Sequence, residues 1–323
     1  MPSPRYPNAL ARPGVFLLGT LVAACGDGRT VPQRGEPAGA DSLGPGAPTP
    51  ARYVTTVAFA GSGSRPAQLF ARFANETSFQ TLTRDYTAWL SDENGWQPLL
   101  SLQDTLPVPR AGWRVLPGNG LRVRVADGAE FLALSFDTER GDVTLVPGGV
   151  VTDWTGLTGQ RAYLGVATLE RGGRVEEGLV FFWRAARPAS APAIGRTDRI
   201  LLLADTLGNG MMIEGNAEAR GAITLWSWLG GVEATWTDVA FSPIPADDRL
   251  SGDEPDDEAA PRGWTLEIAQ VGLAGLIRVV EPAGTDSLSG RWVPSRVYRV
   301  EGEVSVEGQV FRFNGIGLES PLP

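Results

Sequence analysis

From Tyr53 onward the chain alternates apolar and polar residues with a period of two, in short runs broken by Gly, Pro, Asn and Asp. That period predicts strands, not helices. The runs fall at 53–60, 67–74, 121–125, 130–136, 161–169, 178–184 and 199–205, then at 209–215, 220–228, 232–241, 263–270, 274–281, 297–305 and 309–317. No window sustains a helical period over several turns. Asn94-Gly95 and Gly208-Asn209-Gly210 have the composition of tight hairpin turns. Many short strands at this spacing predict antiparallel sandwiches or closed barrels.

Several runs are apolar on both faces. In 220–228, Trp226 and Trp228 share one face while Ile223 and Leu225 share the other. In 232–241, Val232, Ala234, Trp236 and Asp238 oppose Thr237, Val239 and Phe241. A strand apolar on both sides is covered on both. Two barrels packed together meet that demand, because one face fills a lumen and the other faces the neighbouring barrel. The proline-rich stretch 185–196 is the strongest internal boundary. It predicts an N-terminal barrel domain over 52–186, a linker over 187–196 and a C-terminal barrel domain over 197–323, each the size of one eight-stranded barrel. No internal sequence repeat is evident.

The N-terminus carries a different pattern. Arg5 and Arg12 precede a short apolar run, VFLLGTLVAA, which ends at Cys25, the only cysteine. A basic stretch, an apolar core and small residues make a secretory signal, and the run is shorter than the roughly 20 residues a spanning helix needs. Val22-Ala23-Ala24-Cys25 resembles the bacterial lipobox. The resemblance implies a signal peptide over 1–24, lipid on Cys25 and residence in a bacterial cell envelope, with the outer membrane preferred because Gly26, not Asp, follows the cysteine. Residues 25–51 are Gly, Pro, Ala and polar, and cannot bury enough apolar surface to fold alone. They read as a flexible tether of roughly 30 Å mean reach.

Composition removes whole classes of chemistry. There is no histidine and no lysine, so all 28 basic residues are arginine. That excludes Ser-His-Asp and Cys-His systems, His-ligated metals and lysine Schiff bases. With Cys25 committed to lipid, no thiol chemistry or disulfide remains, and no cofactor is implied. The net charge is −9; loss of residues 1–24 removes two arginines and no acid, leaving −11. Such a chain repels phosphate backbones, so nucleic acid is not an expected partner, and lipid, not a basic patch, would hold it at a membrane.

The candidate chemistry is sparse. Residues 246–261 hold seven acids without EF-hand spacing, which predicts a solvated loop ahead of a calcium site, and no metal site is assigned. Trp226, Trp228, Trp236, Trp264 and Trp292 predict either barrel core or the wall of a pocket for an apolar ligand; the first four are the candidate ligand-binding residues. Asp238 is the one candidate catalytic residue, with a structural role as acceptor for a tryptophan N–H as the plainer account. Asp205, Glu214, Glu267, Glu301 and Glu319 lie in or beside strands, where a buried carboxylate would act as a general acid.

The C-terminal third resembles a known group. Trp264, Leu266 and Ile268 form a W-x-L-x-I strand; Tyr298, Glu301, Gly302, Val304, Val306 and Gly308 approximate an aromatic-x-EG-x-V-x-V-x-G segment; Gly315, Gly317 and Glu319, spaced G-x-G-x-E, approximate a G-x-G-x-x-E segment. These are similar to the closing part of the lipocalin-like family of carotenoid 1,2-hydratase and the AttH proteins. The resemblance implies two packed lipocalin-like barrels. It does not carry over a catalytic histidine, since none exists here. Three functions follow as expectations: a lipid-anchored protein that binds or shields an apolar lipid or isoprenoid-like ligand without catalysis; a hydratase or isomerase acting through a buried carboxylate; and a structural envelope lipoprotein with no ligand.

Overall fold

The computed structural model of the chain describes residues 51–62, 66–109, 111–125, 131–139, 141–156, 160–188, 197–216, 223–244, 261–283 and 296–321. Cys25, Trp292 and nearly all of the acidic loop lie outside the described residues.

The period-two pattern folds into two antiparallel sheets of nine strands each. The first holds β1 (Ala51–Gly61), β2 (Gln68–Thr77), β3 (Thr81–Asp92), β4 (Gly95–Pro107), β5 (Leu121–Val125), β6 (Phe131–Thr138), β7 (Gly141–Thr155), β8 (Arg161–Arg171) and β9 (Arg174–Pro188). The second holds β10 (Thr197–Ala204), β11 (Gly210–Asn216), β12 (Thr224–Leu229), β13 (Val232–Trp236), β14 (Ala240–Ile244), β15 (Gly263–Ile268), β16 (Leu273–Pro282), β17 (Arg296–Val306) and β18 (Gln309–Pro321). Among the described residues the helical content is a 3-10 turn at Ala269–Val271. The fold is all-β, as the alternation predicted.

The two sheets have the same strand order. The first reads β4-β3-β2-β1-β9-β8-β7-β6-β5 and the second β13-β12-β11-β10-β18-β17-β16-β15-β14. In each, every strand pairs with its chain neighbour, the first pairs with the last, and one seam stays open between the fourth and fifth. The repeat absent from the sequence is therefore present in the topology.

The seams differ. Between Trp236 and Ala240 lie only residues 237–239, so the outer strands of the second sheet are held within about 14 Å by chain length alone. A flat nine-stranded sheet would part them by about 38 Å, so this sheet must curl. That corrects the single strand expected over 232–241: its two halves are opposite edges of one sheet. In the first sheet the seam is filled by the long connection from β4 to β5, described below.

Three cores result. One lies inside the first sheet and includes Phe59, Phe73, Tyr86, Phe136 and Phe182. Another lies inside the second and includes Leu225, Trp264, Tyr298 and Phe313. The third takes side chains from both sheets, among them Phe70, Trp89, Phe181 and Trp183 from the first and Leu202, Met212, Trp226 and Ile316 from the second. Over residues 223–228, Ile223 and Leu225 face the lumen core while Trp226 and Trp228 face the core between the sheets. The two-faced hydrophobicity of 223–228 thus has the physical origin inferred from sequence, whereas along 232–241 Trp236, Val239 and Phe241 all pack against the lumen core and Val232 is exposed, so that run is not covered on both faces.

Strands β3, β4 and β7 were not among the predicted runs. Their patterns are broken by Arg84-Asp85, by Gln97-Pro98 and by Pro147-Gly148-Gly149, and pairing to stronger neighbours carries them.

Candidate functional site between the barrels

The face between the sheets combines aromatic walls with polar side chains removed from water. On β2, Phe70 belongs to the inter-sheet core. Gln68 and Arg72, two residues to either side, therefore share its face. On β3, Trp89 lies opposite Phe70, Ser91 opposite Gln68 and Thr87 opposite Arg72. Thr56 of β1 completes the second row beside Arg72. All of these polar residues are buried, Gln68 and Ser91 fully so.

Some of the polar groups on this face are satisfied. Trp89 Nε1 donates to Thr87 Oγ1 at 3.1 Å. Across the sheets, Trp183 Nε1 donates to Glu214 Oε2 at 3.3 Å, Thr152 Oγ1 to Glu233 Oε2 at 3.0 Å, and Trp96 Nε1 to the Glu281 carbonyl at 3.5 Å. Others are not. Neither atom of the Gln68 amide has a hydrogen-bond partner, and the same holds for Ser91 Oγ, Thr56 Oγ1 and Trp226 Nε1. Each such group costs about 1–3 kcal/mol when it leaves water unpaired, and native proteins tolerate few of them. These unpaired donors and acceptors gather beside the aromatic side chains Phe70, Trp89 and Trp226.

The polar clusters inside the barrels are of another kind. In the first barrel, Asn75 Nδ2 donates to the carbonyls of Gly112 (2.9 Å) and Arg114 (2.7 Å), and Tyr86 Oη donates to Asn75 Oδ1 (2.8 Å). The Leu116 amide donates to Tyr86 Oη (3.2 Å), and Arg84 donates to the Pro117 carbonyl (2.8 Å) and to Asp104 (2.6 Å). These bonds hold the segment 111–118 in the seam, where Val115 joins the lumen core. Burial pushes the Tyr86 phenol above its ordinary range, and the Arg84 hydrogen bond holds the Asp104 carboxyl below its own. In the second barrel, Tyr298 Oη donates to Glu319 Oε2 (3.0 Å), and Arg296 lies 3.6 Å from the same oxygen. Burial first, and the Glu319 charge second, push the Tyr298 phenol well above its ordinary range. Both phenols stay neutral at physiological pH and act as donors, not bases.

The four candidate tryptophans separate. Trp226 and Trp228 face the space between the barrels, whereas Trp236 and Trp264 pack inside the second barrel, where Trp264 stacks with Phe241 at 6.1 Å. Asp238 lies exposed in the link from β13 to β14 and accepts from Gln270 Nε2 at 3.2 Å. It is at the surface because that link is the seam of the barrel, so it is neither a buried acid nor the acceptor for a tryptophan. Of the five strand carboxylates, Glu319 alone is buried; Glu267 and Glu301 are exposed, Glu214 takes the Trp183 N–H, and Asp205 caps the turn to Asn209. Gln68 and Ser91 were missed by the sequence reading. Their signal is a polar residue in phase with Phe70 and Trp89 on a strand apolar on both faces. Among the described residues no three acidic, His or Cys side chains gather as metal ligands do.

The arrangement is a lipocalin-like fold of two antiparallel sheets, one a nearly closed barrel and the other a half-barrel. No family model and no curated protein matches the sequence. Among solved structures, a protein of Nitrosomonas europaea assigned to AttH aligns with a TM-score of 0.56 at 12% identity, over 91% of this chain and 99% of that one. Kievitone hydratase of Nectria haematococca aligns with a TM-score of 0.52 at 12% identity, over 84% of this chain and 88% of that one. The fold implied by the C-terminal motifs, that of the lipocalin-like AttH and hydratase proteins, is the fold of this chain.

Proposed function

We propose that this protein binds an apolar, lipid-like ligand between its two barrels and is tethered to an envelope membrane by lipid on Cys25. The observation that carries the binding is the Gln68 amide, fully buried with both atoms unpaired, beside the equally unpaired Ser91 hydroxyl. A polar group on an otherwise apolar ligand would satisfy both, while Phe70, Trp89 and Trp226 supply apolar wall. Native mass spectrometry of the protein purified from membranes tests this. Wild type retains a ligand; Gln68→Leu, which removes the unmet polar demand, retains less and resists heat better. Retention of the same ligand by Gln68→Leu, or no ligand in wild type, rejects the site.

The tether rests on the signal-like run before Cys25 and the polar stretch behind it. Cys25→Ser should leave the protein unprocessed or release it from membranes, and membrane-bound Cys25→Ser protein of mature size would refute it.

One observation favours a second reading, a hydratase or isomerase acting on the same ligand. Asp85 is a buried carboxylate on the face that carries Trp89, and one structural neighbour is a hydratase. Turnover of the bound ligand that disappears in Asp85→Asn while binding persists would distinguish this reading from simple binding.

A further inference from the structure

Resting on the tether reading above, we infer that an exposed aliphatic patch, formed where turns of the second sheet meet β7 and β8, seats in the surface of the membrane that holds Cys25. Leu207 and Val232 are 86% and 66% exposed, and Val150, Val151 and Val166 are exposed as well. A circuit of contacts gathers them. Asn209 Oδ1 accepts from the Gly230 amide at 2.7 Å, which joins the β10–β11 turn carrying Leu207 to the β12–β13 turn that leads into Val232. Thr152 Oγ1 donates to Glu233 Oε2 at 3.0 Å, which joins that second turn to β7 directly after Val150 and Val151. A Cβ on Gly148 would lie 3.0 Å from Val166 Cγ2, so β7 meets β8 at this point. A Cβ on Gly210 would lie 2.7 Å from Leu164 Cδ2, which returns the circuit to the β10–β11 turn, two residues from Val166 on the same face of β8. The five side chains form one patch, and an exposed apolar patch marks a surface that meets a partner.

Composition and the tether select the partner. Protein interfaces are anchored by Tyr, Trp and Arg, whereas the five exposed side chains here are Leu and Val, which hydrocarbon accepts readily. The charged groups brought to the patch are carboxylates: Glu233, held by Thr152, and Asp205, held in its own turn by the Leu207 and Asn209 amides. They offer nothing to an anionic headgroup, so the contact is apolar and insensitive to salt. The chain between Cys25 and Ala51 makes the contact reachable. Residues 26–50 span at most about 90 Å when extended. From Ala51, β1 with its 11 residues carries the backbone about 36 Å to Gly61. Next to that end, Ala60 pairs with Leu179, and Leu179 pairs with Val166. A chain anchored at Cys25 therefore has the length to turn this patch onto the bilayer.

The test uses the full-length lipidated protein reconstituted in phosphatidylcholine vesicles. With Cys25 acylated, Leu207→Cys offers one thiol for a nitrobenzoxadiazole probe, and Val232→Cys is a second position should the first disturb its turn. Nitroxide on the lipid acyl chains should quench the probe at 207 and at 232, equally at low and high salt. It should not quench a probe at Phe79→Cys, an exposed apolar site in the β2–β3 turn. Val166→Asp should abolish the quenching at 207 without releasing the chain from the vesicles. Quenching at 79 as strong as at 207, quenching at 207 that survives Val166→Asp, or none at 207 and 232 in protein that floats with the vesicles overturns the seat and leaves the tether standing. A wild-type chain that does not float, with two probes taken up per Leu207→Cys chain, overturns the tether and the seat with it. A probe at 207 shielded without lipid, in protein that sediments as a dimer, assigns the patch to a second copy of the chain and overturns the membrane seat.

Discussion

The two barrels share one strand order and close it differently. The first fills its seam with a separate segment, 111–118, held by Asn75, Tyr86 and Arg84 through hydrogen bonds to five backbone groups. The second bridges its seam with residues 237–239 and places its buried Tyr–Glu pair on β17 and β18, next to the strand that closes the sheet. Topology alone therefore does not determine where a barrel keeps its polar side chains. In the first barrel the interior hydrogen bonds hold the seam segment, and in the second they join β17 to β18; the unpaired groups of Gln68 and Ser91 lie on the face toward the other sheet, while Trp264 Nε1 is unpaired inside the second barrel.

The sharpest test of that division is Trp226→Ala. Trp226 is fully buried between the sheets and meets Phe181 of the first barrel edge to face, with centroids 6.4 Å apart. Its loss should cost about 3–5 kcal/mol in denaturant unfolding and lower amide protection in both barrels. Loss of protection confined to the second barrel would show that the barrels fold independently.

A paired substitution probes the shared topology. A Cβ on Gly178 of β9 would lie 2.2 Å from the Ala60 carbonyl of β1, and one on Gly315 of β18 would lie 2.1 Å from the Leu202 carbonyl of β10. Both glycines allow the last strand to approach the first. Gly178→Ala and Gly315→Ala should each destabilise by about 1–3 kcal/mol, each with lost protection in its own barrel. A silent Gly178→Ala beside a damaging Gly315→Ala would break the equivalence.

Arg84→Met addresses the first barrel alone. It strips donors from the Pro117 carbonyl and Asp104, at about 1–3 kcal/mol, and amide exchange at 111–118 should speed up while the second barrel is unchanged. The Asp104 carboxyl is held below its ordinary value, so its contribution is present above about pH 3.8 and fades as pH falls below that. The acid limb of wild-type stability should accordingly be steeper than that of Arg84→Met.

The smallest effect belongs to Tyr298→Phe, about 1 kcal/mol near neutral pH for one lost hydrogen bond. Its signature lies in alkali. Both Tyr298 and Tyr86 have raised values in the fold, so the unfolded chain ionises first and stability falls as pH rises above about 10. Tyr298→Phe should flatten that fall in part, and the double variant with Tyr86→Phe more fully. An unchanged alkaline limb in the double variant would mean that other groups govern it.

Much of the architecture was legible because strand alternation is a local property. The two-faced character of Ile223–Trp228 named the need for a second barrel before any contact was known. The run Gly315-x-Gly317-x-Glu319 was legible as a pattern and opaque as physics: Gly315 and Gly317 admit β10 and β17 at close range, and Glu319 holds Tyr298. The site was far less visible. Gln68 and Ser91 read as unremarked polar residues in strands. Their burial without partners depends on which strand lies opposite, and no local pattern encodes that.

By itself the sequence determined an all-β chain, the classes of chemistry closed to it by the absence of histidine and lysine, and the signal-like run before Cys25. These follow from side-chain identity and from the two-residue period of an extended backbone, which need no long-range contact. The tertiary structure alone decided that 232–241 splits between two edges, that Asp238 stands in solvent, and that Trp226 and Trp264 serve different cores. Those outcomes depend on how a sheet curls and what packs against its outer face, and that is fixed only when strands distant in the chain pair.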